Sequence, residues 1–308
     1  MIQISKIFIF LIITLTSIQG IGQQLPQFSQ YMYNTISINP AYAGSREIMV
    51  INMLNRNQWI GVNGAPVTQT VSVHSSIPGS NLGVGLSLIN DQLGYDKTFY
   101  GYADISYTLN FNDLYWLAFG VKAGASKFSL DDGIINDPEY NNDPYLSQVN
   151  FRWNPNIGIG VYFRGDKFYL GLSVPKMISN SSQYSQEFVP TERPSYYFNG
   201  GYLFDFYTRN IKFKPTFLVK YTNGAPITLD LTANMLFNDK LWLGVAYRTG
   251  DSFGAMANFK VSKGLSIGYA YDYVTSDLGN FSPGSNEIIL NYEFEFPRRR
   301  CTCKDLYN

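Results

Sequence analysis

The feature that most constrains the fold is a two-residue alternation of apolar and polar side chains that persists over long segments. Between residues 98 and 111, every odd position is apolar or glycine, and the even positions carry Tyr, Asp, Ser, Thr and Asn. The pattern recurs over 114–127, 157–163, 168–174, 227–237, 241–247 and 265–273. Because successive side chains of a strand point to opposite faces, each segment predicts a strand with one apolar and one polar face.

Strand length distinguishes between two all-β classes. Strands of soluble sandwiches usually run about 5–6 residues, whereas several segments here reach about 10–13 residues, the length that a tilted strand needs to cross a bilayer. The 24 Tyr and 22 Phe supply the residues of an interfacial aromatic girdle. The sequence therefore predicts an all-β fold, a transmembrane antiparallel β-barrel of about 14 strands.

The connections between strands give an independent test of that count. We predict strands at 46–58, 67–75, 81–90, 98–111, 114–127, 156–164, 167–175, 195–206, 211–222, 226–237, 241–249, 253–262, 265–273 and 286–296. The even-numbered connections are short, and the long ones, 128–155, 176–193 and 274–285, are all odd-numbered. Short periplasmic turns and long extracellular loops are typical of outer-membrane barrels. Strand one, where neither parity is clean, and Pro215 inside strand nine fit least well.

The ends of the chain predict export. Lys6, an apolar run over 7–15 and the small residues Gly20 and Gly22 form the pattern of a cleavable signal peptide. We expect a signal peptide at 1–22, an N-terminal segment at 23–45, the barrel at 46–296 and a periplasmic tail at 297–308. The protein is thus expected to be integral to the cell outer membrane.

Composition argues against several functional classes. The 23 basic and 23 acidic residues cancel, so no electrostatic footprint for nucleic acid is expected. The single histidine, His74, lies on the polar face of strand two, and we interpret it as a hydrogen-bonding residue of the lumen. Cys301 and Cys303, both at the C-terminus, could bridge to a periplasmic partner or bind a metal with donors from elsewhere, but a free, loosely held tail is favoured. We expect no catalytic residues, cofactor or metal site.

Charged residues on the polar faces are of both signs, which does not favour an ion-selective ring. These residues are Asp104, Lys122, Lys220, Asp230, Arg248, Lys260, Asp272, Glu287, Glu293 and Glu295. Mixed signs predict pairing inside the lumen or contact with a plug, although a water-filled lumen would need no pairing. The acidic loop within 128–155 has the oxygen-rich composition of calcium sites but lacks their spacing, so a solvated loop is favoured.

The segment 23–45 precedes the first strand and is rich in aromatic and amide side chains. About fourteen strands enclose a lumen that wall side chains alone do not fill. We therefore predict that this segment folds into the lumen or its periplasmic mouth and closes it; the alternative is a disordered periplasmic leader.

Two stretches of this segment carry a family resemblance. Residues 26–34 read PQFSQYMYN and residues 38–45 read INPAYAGS, which resembles the N-terminal signature of the PorP/SprF family. Further similar motifs lie at 56–59, 154–160, 169–175, 220–226, 237–244 and 268–273, in family order. Members are outer-membrane proteins of the type IX secretion system and gliding machinery of Bacteroidota.

The resemblance implies a non-enzymatic role with protein partners, either a secreted adhesin's C-terminal domain or the periplasmic motor ring. The residues expected to bind a partner or to form the plug are Phe28, Tyr31, Asn39, Pro40, Tyr42, Arg56, Gln58 and Trp59. The alternatives are a passive channel for hydrophobic or small solutes, favoured by a lateral gap near Pro215, a hydrolase using His74, and a soluble β-sandwich.

Overall fold

In the computed structural model, the strands pair in sequence order around a ring, apart from one three-residue strand, and the last strand pairs with the first. The structure describes residues 26–46, 48–112, 114–131, 153–178, 193–206 and 210–294. The expected signal peptide, most of the acidic loop and the C-terminal tail with its two cysteines lie outside these residues.

The wall is built from strands that are mostly long enough to cross a bilayer. They are β1 (Met49–Asn57), β2 (Val67–Ser76), β3 (Leu82–Leu93), β4 (Asp96–Phe111), β5 (Tyr115–Leu130), β6 (Trp153–Gly165), β7 (Phe168–Val174), β8 (Ser195–Tyr202), β9 (Phe204–Phe206), β10 (Ile211–Thr222), β11 (Thr228–Phe237), β12 (Leu241–Arg248), β13 (Ser252–Lys260), β14 (Leu265–Val274) and β15 (Gly284–Phe294). Because β8 and β9 both pair with β10, these fifteen segments occupy fourteen places in the wall. The predicted strand number is confirmed.

The barrel closes where β1 pairs with β15, from Met49 opposite Phe294 to Asn57 opposite Asn286. Every neighbouring pair in the ring is antiparallel. A closed ring leaves no free sheet edge, so the backbone groups of the wall find partners without water.

The two faces of the wall differ as the alternation predicts. Leu86 and Ile105 on the outer face are 57% and 51% exposed, whereas Asp104 and Lys122 on the inner face are buried. The sequence of β1 did not indicate which of its two faces points inward. In the structure Arg56 and the even-numbered residues before it face the lumen. Within the described residues, no helix is long and apolar enough to cross a bilayer.

Aromatic side chains gather toward both ends of the outer face. Phe111 and Tyr115 lie at one end of β4 and β5, and Tyr247 and Phe253 lie at the opposite end of the wall, on β12 and β13. Two aromatic belts around an apolar band match the two interfaces of a membrane.

The long connections, 131–152, 175–194 and 275–283, leave the same end of the barrel, which we call the loop side. The opposite end carries short connections such as 112–114 and 166–167, and we call it the turn side. In outer-membrane barrels long loops face the cell surface and short turns face the periplasm. The loop side is therefore the extracellular side.

The proline inside the wall is accommodated by a break in the neighbouring strand. Pro215 in β10 stands opposite Ala233 of β11, so the ladder is continuous on that side. On the other side, β8 pairs as far as Gly201 and pairing resumes at Phe204 in β9. The residue without an N–H donor thus lies beside a gap in the ladder, the kind of place where proline occurs in sheets.

Leu88→Arg, on the outer face midway along β3, is expected to lower the free energy of unfolding by about 2–4 kcal/mol because a charge would lie in hydrocarbon. Tyr95→Arg, in the turn between β3 and β4, is the matched control and should cost about 0–1 kcal/mol at the interface. The measurement is urea unfolding from lipid vesicles. Equal costs at the two positions would contradict the placement of the wall.

Candidate functional site

Residues 26–45, which we call the strap, run through the barrel lumen from the loop side to the turn side. The Gln27 amide donates to the Asp230 carboxylate at 2.7 Å, near the loop-side start of β11. At the other end, the Ser106 hydroxyl on the turn-side half of β4 donates to the Ala43 carbonyl at 2.6 Å. The chain then enters β1 from the turn side.

Two short 3-10 helices, Thr35–Ser37 and Pro40–Tyr42, give the strap its bends. Asn39 caps the second helix, because its Oδ1 accepts from the Ala41 N–H at 3.0 Å. The Nδ2 of the same side chain donates to the Val161 carbonyl on β6 at 3.0 Å. Asn39 thus caps the start of the second helix and also binds the strap to the wall, and Pro40 is the first residue of that helix.

An ionic network joins the strap to the closure of the barrel. The Glu287 carboxylate accepts from the backbone N–H groups of Ser29 and Gln30 at 3.0 and 2.9 Å. Arg56 Nη1 lies 2.8 Å from Asp272 Oδ2 and 3.2 Å from Glu287 Oε2. The Ser29 hydroxyl also donates to Asp272. Since Arg56 and Glu287 face each other across the β1–β15 pair, the strap is bonded at the seam of the ring.

A second buried pair holds the loop-side end of the strap. Arg248 donates through Nε and Nη2 to the two oxygens of Asp230, at 2.8 and 3.0 Å. Such fork-like pairing is among the strongest charge-assisted arrangements. Because Gln27 donates to the same carboxylate, the pair connects β11, β12 and the strap.

On the opposite wall, Lys122 Nζ lies 2.8 Å from Asp104 and donates to the Ile36 carbonyl at 3.2 Å. The Tyr31 hydroxyl lies 2.7 Å from the Thr216 hydroxyl. The pairing expected for inward charges of mixed sign is therefore present, with the strap as one of the partners.

Apolar side chains of the strap pack against the wall between these polar contacts. Tyr31, Met32 and Ile38 share a buried cluster with Tyr197 and Leu218. The strap is thus held by burial as well as by hydrogen bonds.

Phe28 lies in a second cluster, with Leu54 of β1 and Ile289 of β15. These two residues stand directly opposite each other across the seam, so Phe28 covers the closure from inside.

Glycines on the inner face allow the strap backbone to lie against the wall. A Cβ at Gly120 would stand 2.2 Å from the Ala41 nitrogen, and one at Gly83 would stand 2.2 Å from the Ala43 oxygen. At Gly160 a Cβ would stand 2.1 Å from Asn39 Oδ1. A separation below 3.0 Å requires one of the two parts to move. These positions form a seat that has room for the strap only because they lack side chains.

The interpretation of His74 as a hydrogen-bonding residue is wrong in the structure. The side chain is buried, and neither ring nitrogen has a hydrogen-bond partner among the described residues. Its ring instead packs edge-on against Tyr42, with the ring centres 5.1 Å apart. Tyr42 packs in the same way against Tyr162, with the ring centres 5.3 Å apart. Aromatic packing by the strap takes the place of the expected hydrogen bond.

Most of the residues expected at the site are brought together. Phe28, Tyr31, Asn39, Pro40 and Tyr42 are all strap residues, and Arg56 binds the strap from β1. The sequence did not single out Gln27 and Ser29 as site residues or the inner glycines as a seat. The alternation of inward and outward side chains along a strand places those glycines on the inner face. That the strap backbone packs against them is seen only in the structure.

Gln58 and Trp59 lie apart from the strap's buried contacts, at a cavity on the loop side that we call the vestibule. The vestibule has a volume of about 790 Å³, and Pro26 and Gln27 form part of its lining. Further lining residues are Asp91, Leu93, Asp96, Thr98, Tyr100, Lys176, Arg193, Lys220, Pro226, Ile227, Thr228, Arg248, Thr249, Gly250 and Asp251.

Several charged residues that line the vestibule are grouped by sign along the ring of strands. Lys176, Arg193 and Lys220 follow one another on the part of the ring from β7 to β10, while Asp91 and Asp96 lie on β3 and β4. Lys176 Nζ lies 4.0 Å from the centre of the Tyr100 ring, a cation–π contact. One arc of the vestibule is therefore basic and another is acidic, while Arg248 and Asp251, which also line it, form an ion pair at 3.2 Å.

A closed ring of fourteen strands with an apolar outer belt defines a transmembrane β-barrel of the outer-membrane class. The family model described as "Type IX secretion system membrane protein PorP/SprF" matches residues 21–292, and the chain belongs to this family. It is an integral protein of the outer membrane. No curated protein matches the chain.

The comparison with solved structures finds similar chains at low identity. The chain is similar to the outer membrane protein Omp33 of Acinetobacter baumannii, with 10% identity, coverage of 81% of this chain and 98% of that one, and a TM-score of 0.47. A TodX mutant, a monoaromatic hydrocarbon channel, has 8% identity, coverage of 89% and 96%, and a TM-score of 0.48. Salmonella typhi OmpF in complex with daunomycin has 10% identity, coverage of 80% and 97%, and a TM-score of 0.39.

Arg56→Met is expected to destabilise the barrel by about 3–5 kcal/mol, because it leaves two buried carboxylates without their cation. Lys212→Met is the control, since the Lys212–Asp239 pair is solvent-exposed and such pairs are worth about 0–1 kcal/mol. Urea unfolding from lipid vesicles measures both. A cost at Arg56 no larger than at Lys212 would contradict a structural role for the seam network.

Gly120→Val should displace the strap around Pro40 and Ala41, because the new side chain would occupy the space of its backbone. We expect a higher single-channel conductance in planar bilayers than for the unaltered barrel. Gly101→Val is the matched control: a Cβ there would have its nearest neighbour at 3.7 Å, and the residue faces outward. Unchanged conductance in Gly120→Val, with the variant correctly folded, would oppose a closing role for the strap.

Proposed function

We propose that the protein is a non-enzymatic subunit of the type IX secretion machinery that binds an exported protein at the vestibule and holds it at the cell surface. In this proposal the strap closes the lumen, and the barrel serves as an anchor. The secreted partner is expected to contribute its C-terminal domain.

The observation that carries the proposal is the seating of the strap through the lumen. The strap is bonded to buried charges on β1, β5, β11, β14 and β15, and its backbone lies on inner glycines. Removing a partner from a buried ionic group is costly, so these contacts favour a strap that stays in place. A passive channel for solutes, the alternative function, would require an unobstructed path where the strap lies.

The vestibule supplies a docking site of suitable size and position. It opens on the extracellular side, combines the aromatic side chains Trp59 and Tyr100 with charges of both signs, and has a volume of about 790 Å³. Aromatic and arginine side chains are enriched at protein interfaces. An extended peptide segment with a carboxylate toward the basic arc fits this lining.

Contact with periplasmic motor components is the second candidate. The turn side faces the periplasm. The first wall strand, β1, begins there at Met49, and the last, β15, ends there at Phe294. A partner on that side would leave the vestibule free.

The two candidates are separated by paired charge reversals. Arg193→Glu changes the basic arc of the vestibule, and Lys240→Glu changes an exposed lysine in the turn between β11 and β12 on the opposite side. After affinity purification from outer membranes, we expect Arg193→Glu to reduce the co-eluting exported protein several-fold and Lys240→Glu to leave it unchanged.

The reverse result, loss in Lys240→Glu alone, would move the partner to the turn side. Equal recovery of the exported protein with both variants would contradict a charged contact in the vestibule. Both substituted positions are exposed, so neither variant should impair folding.

A further inference from the structure

We infer that the N-terminal end of the strap is displayed at the cell surface, where it forms part of the surface that a partner entering the vestibule contacts. The C-terminal end of the wall lies on the opposite side of the membrane. This goes beyond the proposed anchoring role, because the direction of the strap depends on the structure alone.

The first contacts of the strap all lie near the loop side. Gln27 binds Asp230, two residues into β11, which starts on the loop side. Ser29 binds Glu287, three residues into β15, which also starts there. The Arg56 that joins this network is one residue from the loop-side end of β1.

The last contacts lie near the turn side. The Ala43 carbonyl accepts from Ser106 in the half of β4 that leads to the short turn after Phe111. A Cβ at Gly44 would stand 2.6 Å from the Gly83 Cα and 3.1 Å from the Ser76 Cα, the residues on either side of the turn from β2 to β3. The strap therefore crosses the barrel from the extracellular side to the periplasmic side before β1 begins.

Pro26 itself lies at the extracellular mouth of the barrel, because it lines the vestibule. A wall strand of 16 residues, such as β4, is about 50 Å long, and a tilt of about 40° leaves a barrel height near 40 Å. The first described residue of the strap is therefore separated from the periplasmic side by the height of the barrel.

A partner in the vestibule would consequently meet the strap itself. Pro26 and Gln27 line the cavity together with Trp59 and Arg248, and Gln27 and Arg248 bind the same carboxylate, Asp230. The kind of partner that this surface fits is an extended peptide segment with a carboxylate, as argued for the vestibule. That identification rests on the proposed function, whereas the direction of the strap does not.

Cysteine labelling of intact cells tests the direction of the strap. In a background with Cys301→Ser and Cys303→Ser, Pro26→Cys places a thiol at the vestibule without removing a hydrogen-bond donor, since proline has no N–H. Asn280→Cys, exposed in the connection from β14 to β15, reports the loop side, and Ser80→Cys, exposed in the turn from β2 to β3, reports the turn side. The probe is a small membrane-impermeant maleimide.

We expect Pro26→Cys to be labelled in intact cells, as Asn280→Cys is, and Ser80→Cys to be labelled only after the outer membrane is permeabilised. Labelling of Pro26→Cys only after permeabilisation would overturn the inference. Labelling in neither condition would also contradict it, because the vestibule would then be closed to the surface. The result is independent of whether an exported protein co-purifies, so it can fail or succeed separately from the proposed function.

Discussion

Hydrocarbon offers no hydrogen-bond partner to a peptide group, and this constraint governs the whole molecule. A sheet can satisfy it only by closing on itself, which makes the meeting of β1 and β15 the point on which the ring depends. Arg56 and Glu287 stand opposite each other at that meeting, and the strap adds two backbone donors to the same carboxylate. The closure of the wall and the filling of the lumen are therefore parts of one arrangement.

Closure of fourteen strands creates a second requirement, because the enclosed space is wider than wall side chains can fill. The strap lies in this space and contacts inward-facing residues of the wall. Charged wall groups that would otherwise face water, such as Lys122 and Asp230, bind strap carbonyl or amide groups. Glycines at 83, 120 and 160 remove the side chains that would keep the strap at a distance.

Much of the wall could be predicted from sequence, because alternation in a strand reports directly on which face meets lipid. The strand number, the inward direction of Asp104 and Lys122 and the position of the long loops follow from it. The inward direction of the Arg56 side chain could not be predicted, because β1 has both asparagine and apolar residues on each of its faces. Contacts between the strap and the wall join residues up to 258 positions apart, and no local pattern encodes such pairings. His74 shows the same limit, since its neighbour Tyr42 comes from a segment without regular periodicity.

The route of the strap has a mechanical consequence. Its far end continues directly into β1, and its contacts are distributed along the lumen and not gathered at one point. A tensile load applied at Pro26 from outside the cell would act parallel to the strap and would strain many of these bonds together, as in shear, before any one of them failed alone. A segment held in this way resists pulling better than its individual hydrogen bonds suggest.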